Sequence, residues 1–334
     1  MLRVVECFAG IGACSQALTN LNIPHEIVDA VEIDKYAIKS FNAIHGTAFE
    51  PQDITQWDKP LENIDLLLHG SPCQDFSLAG KQAGGDINSG TRSSLMYETL
   101  RIVGRIRPRI VIWENVKNLL SEKHRHNFDA YIKAMDALGY QSKYKVLNAK
   151  DYGIPQNRER VFTISTLGPN NFEFPEPIPL ERCLRDMLEL FPDEKYYLTD
   201  EQTKNLQVKP AEEISRTIRT GGAGSLDRHT WDVIRVGGLY DKPGHRHQAG
   251  SVFDPSGLCA TLSTMQGGNQ EPIITNLGRI RRLTPRECWR LMGFPNDAFD
   301  RAQAMGISNS QLYKQAGNSI CVSVLEAIFR KLIM

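Results

Sequence analysis

The sequence predicts an α/β fold with a Rossmann-like, mostly parallel sheet and a second, smaller β-rich domain. A β-rich run from Leu2 to Cys7 meets a glycine turn and then a helical stretch, which is the first unit of a doubly wound sheet. Two further compact apolar runs, 64–69 and 109–113, are typical of buried strands. Beyond about Phe172, prolines and short β segments replace most of the helices, so a second domain begins there.

The composition is that of an ordinary globular protein with one large domain or two unequal ones: 334 residues, 41% hydrophobic and 23% charged. Because the formal net charge is zero, nucleic-acid binding requires local basic clusters and not a global positive field. Seven cysteines without a C-x-x-C pair argue against a disulfide framework and a zinc site. We therefore expect a reducing, cytoplasmic location and no metal. No apolar run approaches the length of a membrane span.

The first glycine turn, Phe8-Ala9-Gly10-Ile11-Gly12, separates a strand from a helix, and its glycines let a ligand approach the backbone. The third glycine of a dinucleotide fingerprint and the lysine of a phosphate loop are missing, so the turn alone is weak evidence for a ligand. The next strand, 26–31, ends in Glu32. A carboxylate about 20 residues after such a turn suits the two hydroxyls of a ribose.

A third short segment follows the helix predicted over 35–45, whose apolar residues recur at helical spacing. The segment ends in Asp53 and Ile54. Asp53 has two possible roles: its carboxylate caps the next turn, or it accepts a hydrogen bond from an adenine amino group. The sequence leaves both open.

The strand at 64–69 runs into Gly70-Ser71-Pro72-Cys73, and a Gly- and Ser-rich stretch follows. Ligands of open α/β sheets bind at the carboxyl ends of such strands. Pro72 fixes its own φ and offers no backbone N–H, so Cys73 is a candidate nucleophile at the end of a strand. The alternative is that Cys73 is a small buried hydrophobe, as most free cysteines are.

A second candidate acid follows the strand at 109–113, which itself comes after a helix predicted over 93–107. Glu114 ends this strand, where partial desolvation would raise its pKa and let it hold a proton at neutral pH. The alternative is a capping glutamate. A helix over 128–138 and a strand over 140–148 continue the α/β pattern.

Two arginines precede the next strand, 161–166. Arg158 and Arg160 stand at i and i+2 of an extended segment, so both side chains point the same way and can clamp an anion or a carbonyl. The alternative is a solvated edge.

In the second domain a helix is expected over 180–190, and five arginines then cluster between 279 and 290. Such a cationic patch suits a phosphate backbone. Thr284 and Pro285 start a helix as N-cap and N1 residues.

Taken in order, these stretches resemble the C5-cytosine DNA methyltransferases, a family of S-adenosylmethionine-dependent enzymes, over nearly the whole chain. The residues that carry the resemblance are Phe8-Ala9-Gly10-Ile11-Gly12, Pro72-Cys73-Gln74, Glu114-Asn115-Val116, Gln156-Asn157-Arg158-Glu159-Arg160, Arg282-Leu283-Thr284-Pro285-Arg286-Glu287 and Gly317-Asn318-Ser319. Their order and spacing match the family. The first motif departs slightly, with Ala13 where a second glycine is commoner.

The resemblance implies a reaction in which Cys73 adds to C6 of cytosine and C5 then takes a methyl group from S-adenosylmethionine. It implies that Glu114 contacts N3 and the exocyclic amine, that Arg160 binds O2 and that Arg158 helps to orient the site. It implies no metal. The positions that match the family's cofactor contacts are Phe8, Gly10, Gly12, Glu32, Ile33, Asp53, Ile54, Pro72, Leu95, Asn318 and Ile320.

The resemblance also implies a double-stranded DNA substrate, because a base inside a duplex must be flipped out to reach such a pocket. By the same match Gln248 fills the vacated stack, Thr261 braces the flipped backbone and Arg282 contacts phosphate. For Thr261, plain β-propensity is the alternative. A cognate restriction endonuclease is a possible partner, and a monomer is expected.

The expected domains are a catalytic one (1–178 and 304–334), a target-recognition one (179–278) and a hinge (279–303). Three other functions compete. The same chemistry on RNA is one, although the Cys-Phe-Thr signature typical of the family's tRNA-directed branch is missing. A catalytically silent DNA-binding regulator is another, and a NAD-dependent oxidoreductase, suggested by the glycine turn alone, leaves Cys73 and Glu114 unexplained.

Overall fold

The computed structural model describes residues 1–72, 95–204, 206, 208–209, 232–241, 250–265 and 270–334. Its strands are β1 (Leu2–Cys7), β2 (His25–Val31), β3 (Leu66–His69), β4 (Ile110–Val116), β5 (Tyr140–Asn148), β6 (Glu159–Leu167), β7 (Arg235–Gly238), β8 (Ser251–Phe253), β9 (Ile273–Asn276) and β10 (Arg279–Arg282). Its helices are α1 (Ala13–Asn20), α2 (Lys35–His45), α3 (Met96–Ile106), α4 (Arg125–Ala137), α5 (Asp200–Thr203), α6 (Pro285–Arg290), α7 (Asn296–Ala304), α8 (Asn309–Asn318) and α9 (Val322–Leu332). None of the described helices is long and apolar enough to cross a membrane.

The larger sheet has the strand order β2-β1-β3-β4-β6-β5. Strands β2, β1, β3 and β4 are parallel neighbours, whereas β6 is antiparallel to both β4 and β5. The carboxyl ends of four strands therefore meet at one edge, which brings the glycine turn, Glu32, Pro72 and Glu114 to the same side of the sheet. The predicted mostly parallel α/β architecture is confirmed.

Apolar side chains cover both faces of the larger sheet. Successive residues of β1, Val4 and Val5, belong to two different buried clusters, as the alternation of a strand requires. Helices α1 and α9 pack together on the first face, where Leu18 is fully buried. Helices α3 and α4 cover the second, which includes Ile102. Each such side chain contributes about 1.5–3 kcal/mol by leaving water.

The smaller sheet has the order β10-β9-β8-β7. Strands β9 and β10 form an antiparallel hairpin, and β8 is parallel to β9 and antiparallel to β7. Its own core is small and consists of Ile234, Val236, Val252 and Ile273. This unit is the predicted second, β-rich domain.

The prediction of a helix over 180–190 is wrong. The segment contains a single 3-10 turn, Leu184–Met187. Here the amides of Leu184 and Arg185 donate to the carbonyls of Gly257 and Pro255 instead of to their own preceding turn. Leu184 and Met187 are buried by contacts with residues distant in sequence, which is why a helical pattern does not produce a helix.

The expected hinge, 279–303, is divided between two structural units. Its first four residues form β10, so the expected boundary after residue 278 falls inside the β9–β10 hairpin. Helices α6 and α7 instead contact the larger domain: Trp289 Nε1 donates to the carbonyl of Leu312 over 3.0 Å, and Arg301 to that of Ile44 over 2.7 Å. The connection between the units is therefore short, at Leu283 and Thr284.

A fully buried ion pair spans this connection. Arg281 of β10 donates to both carboxylate oxygens of Glu287 in α6, over 2.9 and 2.8 Å. The same carboxylate accepts from the amides of Thr284 and Glu189. Because both side chains of the pair are inaccessible to solvent, loss of either partner leaves an uncompensated buried charge.

We expect Glu287→Gln to lower the free energy of unfolding by about 3–5 kcal/mol, because Arg281 keeps its charge and loses its carboxylate. Urea titration followed by tryptophan fluorescence measures this. The matched control is Glu194→Gln, which removes the exposed partner of Arg279 and leaves the midpoint unchanged. Equal losses in the two variants would contradict the expectation.

Candidate active site

The glycine turn after β1 and the end of β2 together form a polar groove. Glu32 accepts hydrogen bonds from the amides of Gly10, over 2.9 Å, and of Asp34, over 2.8 Å. Burial raises the pKa of the Glu32 carboxyl, and these two bonds oppose that effect only in part. Gly10 has a φ of +56°, and no atom lies within 4 Å of the place that a Cβ would occupy. An open space therefore adjoins a carboxylate whose position is fixed.

Gly12 has a different reason to be glycine. A Cβ at this position would overlap the side chains of His45 and Phe41 in α2. Gly12 is also the residue before α1, with a φ of +81°. The close approach of α1 to α2 therefore explains this glycine, and its Cα faces packed side chains and not the open groove.

Asp53 caps the 3-10 turn Ile54–Gln56. Its Oδ1 accepts from the amide and the hydroxyl of Thr55, each over 2.9 Å, so the capping role is confirmed. Ile54 is buried, whereas Ile33 is 68% exposed beside Glu32. A fixed carboxylate next to an exposed aliphatic side chain fits the sugar hydroxyls and the flat base of a nucleoside.

The other positions expected to contact a cofactor differ in exposure. Phe8, Pro72 and Leu95 are half-buried, Asn318 is exposed and Ile320 is buried. Gly70, at the end of β3, lies between two of the candidate groups. A Cβ on Gly70 would be 3.6 Å from Cδ1 of Ile320 and 3.7 Å from Oε2 of Glu114. The cofactor positions of the C-terminal segment therefore adjoin the candidate acid.

Cys73 lies outside the described residues, but the structure shows what holds the segment just before it. Trp113 Nε1 donates to Oγ of Ser71 over 3.0 Å, and the side-chain Nδ2 of Asn115 donates to the Ser71 carbonyl over 3.3 Å. These two residues flank Glu114 in β4. Sequence reasoning missed the contact with Trp113, because no local pattern links residues that are 42 positions apart.

Glu114 and Arg160 form a nearly buried ion pair. Arg160 Nε lies 3.2 Å from Oε1 of Glu114, and the two side chains are 16% and 11% exposed. Burial raises the pKa of the Glu114 carboxyl, while the charges of Arg160 and Arg158 lower it, and burial prevails. Glu114 lies near the C-terminal end of β4, as expected, and the strand continues to Val116 by pairing with β6.

The side chains of Arg158 and Arg160 contact different groups and do not clamp a common partner among the described residues. Its guanidinium donates to the carbonyls of Leu262 (3.2 Å), Gly317 (3.2 Å) and Ser319 (2.9 Å). The two arginines therefore have separate tasks. Arg160 contacts the candidate acid, and Arg158 joins three chain segments behind it, which agrees with the orienting role expected of Arg158.

The segment around Thr261 lies against the larger domain. Thr261 Oγ1 donates to the carbonyl of Asn157 over 2.5 Å, and the Leu262 amide donates to Oε1 of Gln156 over 3.2 Å. Gln156 is fully buried and also donates to the carbonyl of Leu291 over 2.7 Å. The expected brace residue thus lies beside the arginine motif. Gln248 lies outside the described residues.

The same segment packs directly on α8. A Cβ on Gly317 would overlap the carbonyl group of Ser263 and Cα of Thr264. Only glycine permits this approach, and it brings the Thr261 segment close to the end of α8, where the Asn318 and Ile320 positions lie.

The prediction of an open cationic patch is wrong, because each of the five arginines between 279 and 290 has a partner. Arg281 is buried with Glu287, and Arg279 pairs with Glu194. The remaining three contact Glu271 (Arg282, 4.0 Å), Asp300 (Arg286, 2.7 Å) and backbone carbonyls (Arg290). These charges chiefly connect structural elements, and Arg282 is half-buried.

Comparison with known proteins agrees with this geometry. The family model for the C-5 cytosine-specific DNA methylase matches residues 2–334. The type II methyltransferase M2.ScrFI of Lactococcus lactis subsp. cremoris is 35% identical, over 99% of each chain. The type II methyltransferase M.HhaI of Haemophilus parahaemolyticus is 36% identical, over 98% of this chain and 93% of its own.

Solved structures show the same fold. The S. pombe Dnmt2 methyltransferase superimposes with a TM-score of 0.70 at 20% identity and covers 100% of both chains. A putative DNA modification methyltransferase encoded within an E. coli prophage gives a TM-score of 0.67 at 22% identity, over 99% of this chain and 98% of its own.

We expect Gly317→Ala to destabilise the protein, because the new Cβ would displace the backbone of Ser263. A fall in Tm of several degrees, measured by calorimetry, is the expected result for about 1–3 kcal/mol of strain. The control is Gly104→Ala inside α3, where a Cβ makes ordinary contact with Leu138 and improves helix propensity. A Tm for Gly317→Ala at or above that of the control would show that the segment adapts without strain.

Proposed function

The chain belongs to the C-5 cytosine-specific DNA methylase family, and we propose that it uses S-adenosylmethionine to methylate C5 of a cytosine flipped out of a short double-stranded DNA sequence. As a member of this family it is a DNA cytosine-C5 methyltransferase. The observation that carries the finer proposal is the shielded Glu114–Arg160 pair on β4 and β6. Strand β4 pairs with β3, the strand that precedes Cys73 in the sequence.

S-adenosylmethionine, when bound, supplies an electrophilic methyl group on a sulfonium. The residues present fit this group. Glu32 accepts the ribose hydroxyls, because its oxygens are already aimed by the Gly10 and Asp34 amides. Ile33 contacts the base through its exposed side chain, and Asp53 accepts from the adenine amine while it caps its turn. The open space over Gly10 lets the ligand approach the backbone.

Cys73 is the nucleophile of the proposed mechanism. Its thiolate adds to C6 of cytosine and a carbon–sulfur bond forms, while Glu114 holds a proton toward N3 so that the ring accepts the electron pair. C5 thereby becomes nucleophilic and would take the methyl group, while the sulfonium would leave as the neutral thioether S-adenosylhomocysteine. Water accepts the C5 proton, and β-elimination then restores the double bond, returns the N3 proton to Glu114 and releases Cys73. A free thiol has a pKa of about 8.5, so Cys73 needs the positive charges of this site in order to react.

Arg160 and the raised pKa of Glu114 support this assignment. Burial favours the protonated carboxyl of Glu114 more strongly than the charges of Arg160 and Arg158 favour its carboxylate. Arg160 has further guanidinium donors with which to bind the cytosine O2. Arg158 holds the surrounding segments through three carbonyls and so orients the pocket.

The DNA contacts of the proposal are Thr261, Gln248 and Arg282. Thr261 is exposed and anchored on Asn157, beside the arginine motif, which supports a role at the flipped nucleotide. Arg282 retains a weak contact with Glu271 that a phosphate can replace. A monomer acting on duplex DNA, with a restriction endonuclease for the same site as a possible partner, completes the proposal.

We expect DNA from a methylation-free host that expresses this chain to carry 5-methylcytosine within one short motif, as detected by bisulfite or nanopore sequencing. Cys73→Ala abolishes the modification, because removal of a nucleophile costs at least about 10⁴-fold in rate. Unmodified DNA, with the wild-type protein folded and bound to S-adenosylmethionine, would redirect the search to RNA substrates. Normal methylation by Cys73→Ala would exclude the covalent mechanism.

We expect kcat/KM to fall at high pH as Glu114 loses its proton. Arg160 lowers the Glu114 pKa, so Arg160→Met raises it and moves the alkaline limb of the profile to higher pH, while the rate itself falls about 10- to 100-fold. Initial rates with saturating S-adenosylmethionine between pH 6 and 10 measure both effects. Lys117→Met, which removes a cation paired with exposed Glu159, is the control. An alkaline limb that stays in place or moves to lower pH in Arg160→Met would refute the acid role of Glu114.

A further inference from the structure

An ion pair outside the sites described so far lies next to Glu32. Lys314 of α8 donates to Oδ2 of Asp34 over 2.6 Å, and the two side chains are 27% and 21% exposed. The other carboxylate oxygen of Asp34 caps α2, where it accepts from the amides of Tyr36 and Ala37. The cap residue is therefore held from two sides, by a helix N-terminus and by a cation from a distant helix.

Asp34 is in turn bonded to Glu32. The Asp34 amide donates to Oε1 of Glu32, so two carboxylates stand two residues apart on one turn. Burial raises the Glu32 pKa, and the negative charge of Asp34 raises it further. Burial also raises the pKa of Asp34, but the hydrogen bonds from Lys314 and from the α2 amides outweigh that effect and leave the pKa below its usual value. Lys314 thus compensates the charge that opposes ionisation of Glu32.

The other charged groups near this turn are directed elsewhere. The ammonium of Lys35 lies 5.1 Å from the ring centroid of Tyr36. Burial lowers the pKa of His45 to about 4, so this side chain is neutral at physiological pH. Arg301 of α7 donates to a backbone carbonyl and to Asp297. Within the described residues, Lys314 is the cation bonded to the Glu32 turn.

Helix α8 has a second attachment to α2 that does not involve Lys314. Gln315 Nε2 donates to the carbonyl of Tyr36 over 3.0 Å, and Ser40 Oγ donates to Oε1 of Gln315 over 3.2 Å. Both side chains of this contact are buried. Removal of the Lys314 charge therefore leaves the two helices attached to each other.

We propose that Lys314 is a positioning residue for the cofactor, which neutralises Asp34 so that Glu32 presents an ionised carboxylate to the ribose hydroxyls. Lys314 acts through Asp34 and contacts no ligand itself. This inference rests on the proposed use of S-adenosylmethionine. It predicts an effect on cofactor affinity, and on the pH dependence of that affinity, and none on the rate at saturating cofactor.

The test is isothermal titration of S-adenosylhomocysteine into the full-length protein between pH 5.5 and 9. The variants are Lys314→Met, Lys314→Arg, Asp34→Asn and the double variant Asp34→Asn with Lys314→Met. Wild-type affinity weakens as pH falls through the Glu32 pKa. In Lys314→Met this weakening begins at higher pH, because the uncompensated Asp34 raises that pKa. The expected loss of affinity relative to the wild type is severalfold and grows as pH falls.

The double variant separates positioning from plain structural damage. Asparagine still caps α2 but carries no charge, so in the Asp34→Asn background Lys314→Met has little further effect on affinity. Lys314→Arg restores near-normal binding. Lys314→Met raises KM for S-adenosylmethionine and leaves kcat unchanged. Lys331→Met, at an exposed position of α9, controls for loss of a lysine.

Several results would overturn the inference. Wild-type affinity and an unshifted pH profile in Lys314→Met would contradict it. A double variant that binds S-adenosylhomocysteine as weakly as Lys314→Met does would also contradict it. A drop in kcat at unchanged KM would assign Lys314 to another task. If the wild type itself fails to bind S-adenosylhomocysteine, the proposed function falls, whereas normal wild-type binding with an unaffected Lys314→Met refutes only the role of Lys314.

Discussion

The guanidinium of Arg158 holds together the parts of the chain on which the site depends. It stands at the start of β6 and donates to carbonyls of Leu262, Gly317 and Ser319. These carbonyls belong to the segment that carries Thr261 and to the end of α8. A buried cation that satisfies three backbone carbonyls from separate segments resists displacement, because each carbonyl would be left buried without a donor. Arg158 therefore brings segments that are distant in the sequence together at the site.

Two carboxyl groups at the same edge of the larger sheet, Glu114 and Glu32, differ in which protonation state their surroundings favour. Glu114 is nearly buried beside Arg160, and burial dominates, so its carboxyl tends to keep a proton. Glu32 is also pushed toward protonation by burial, but two amides and the compensated Asp34 turn favour its charged form. The same sheet edge thus holds one carboxyl group whose surroundings favour the protonated form and one that accepts hydrogen bonds from two backbone amides. The difference arises from what each carboxylate contacts and not from its position on a strand.

The small sheet is attached through apolar packing, a buried ion pair and one close backbone contact, since Ile274 of β9 belongs to the same buried cluster as residues of α1 and α9. The buried Arg281–Glu287 pair spans the short connection, and Gly317 allows the Thr261 segment to touch α8. This explains why arginines that suggested a DNA-binding patch turn out to be structural. A run of cations close in sequence is dispersed over different elements, and each cation finds its own carboxylate or carbonyl. Charge density along a sequence is therefore a poor measure of charge density on a surface.

The sequence by itself determined the α/β fold, most strands of the larger sheet, the glycine turn, and the candidate pair of Cys73 and Glu114, because these depend on local periodicity and on short motifs. It did not determine the 3-10 turn at 184–187, the division of the expected hinge, or the separate tasks of Arg158 and Arg160. It also gave no indication of the bonds from Trp113 to Ser71 and from Lys314 to Asp34, which join residues 42 and 280 positions apart. Hydrogen bonds and ion pairs act between atoms that are close in space, whatever their distance along the chain. Such contacts therefore depend on which helices and strands become neighbours, and this is a property of the tertiary structure.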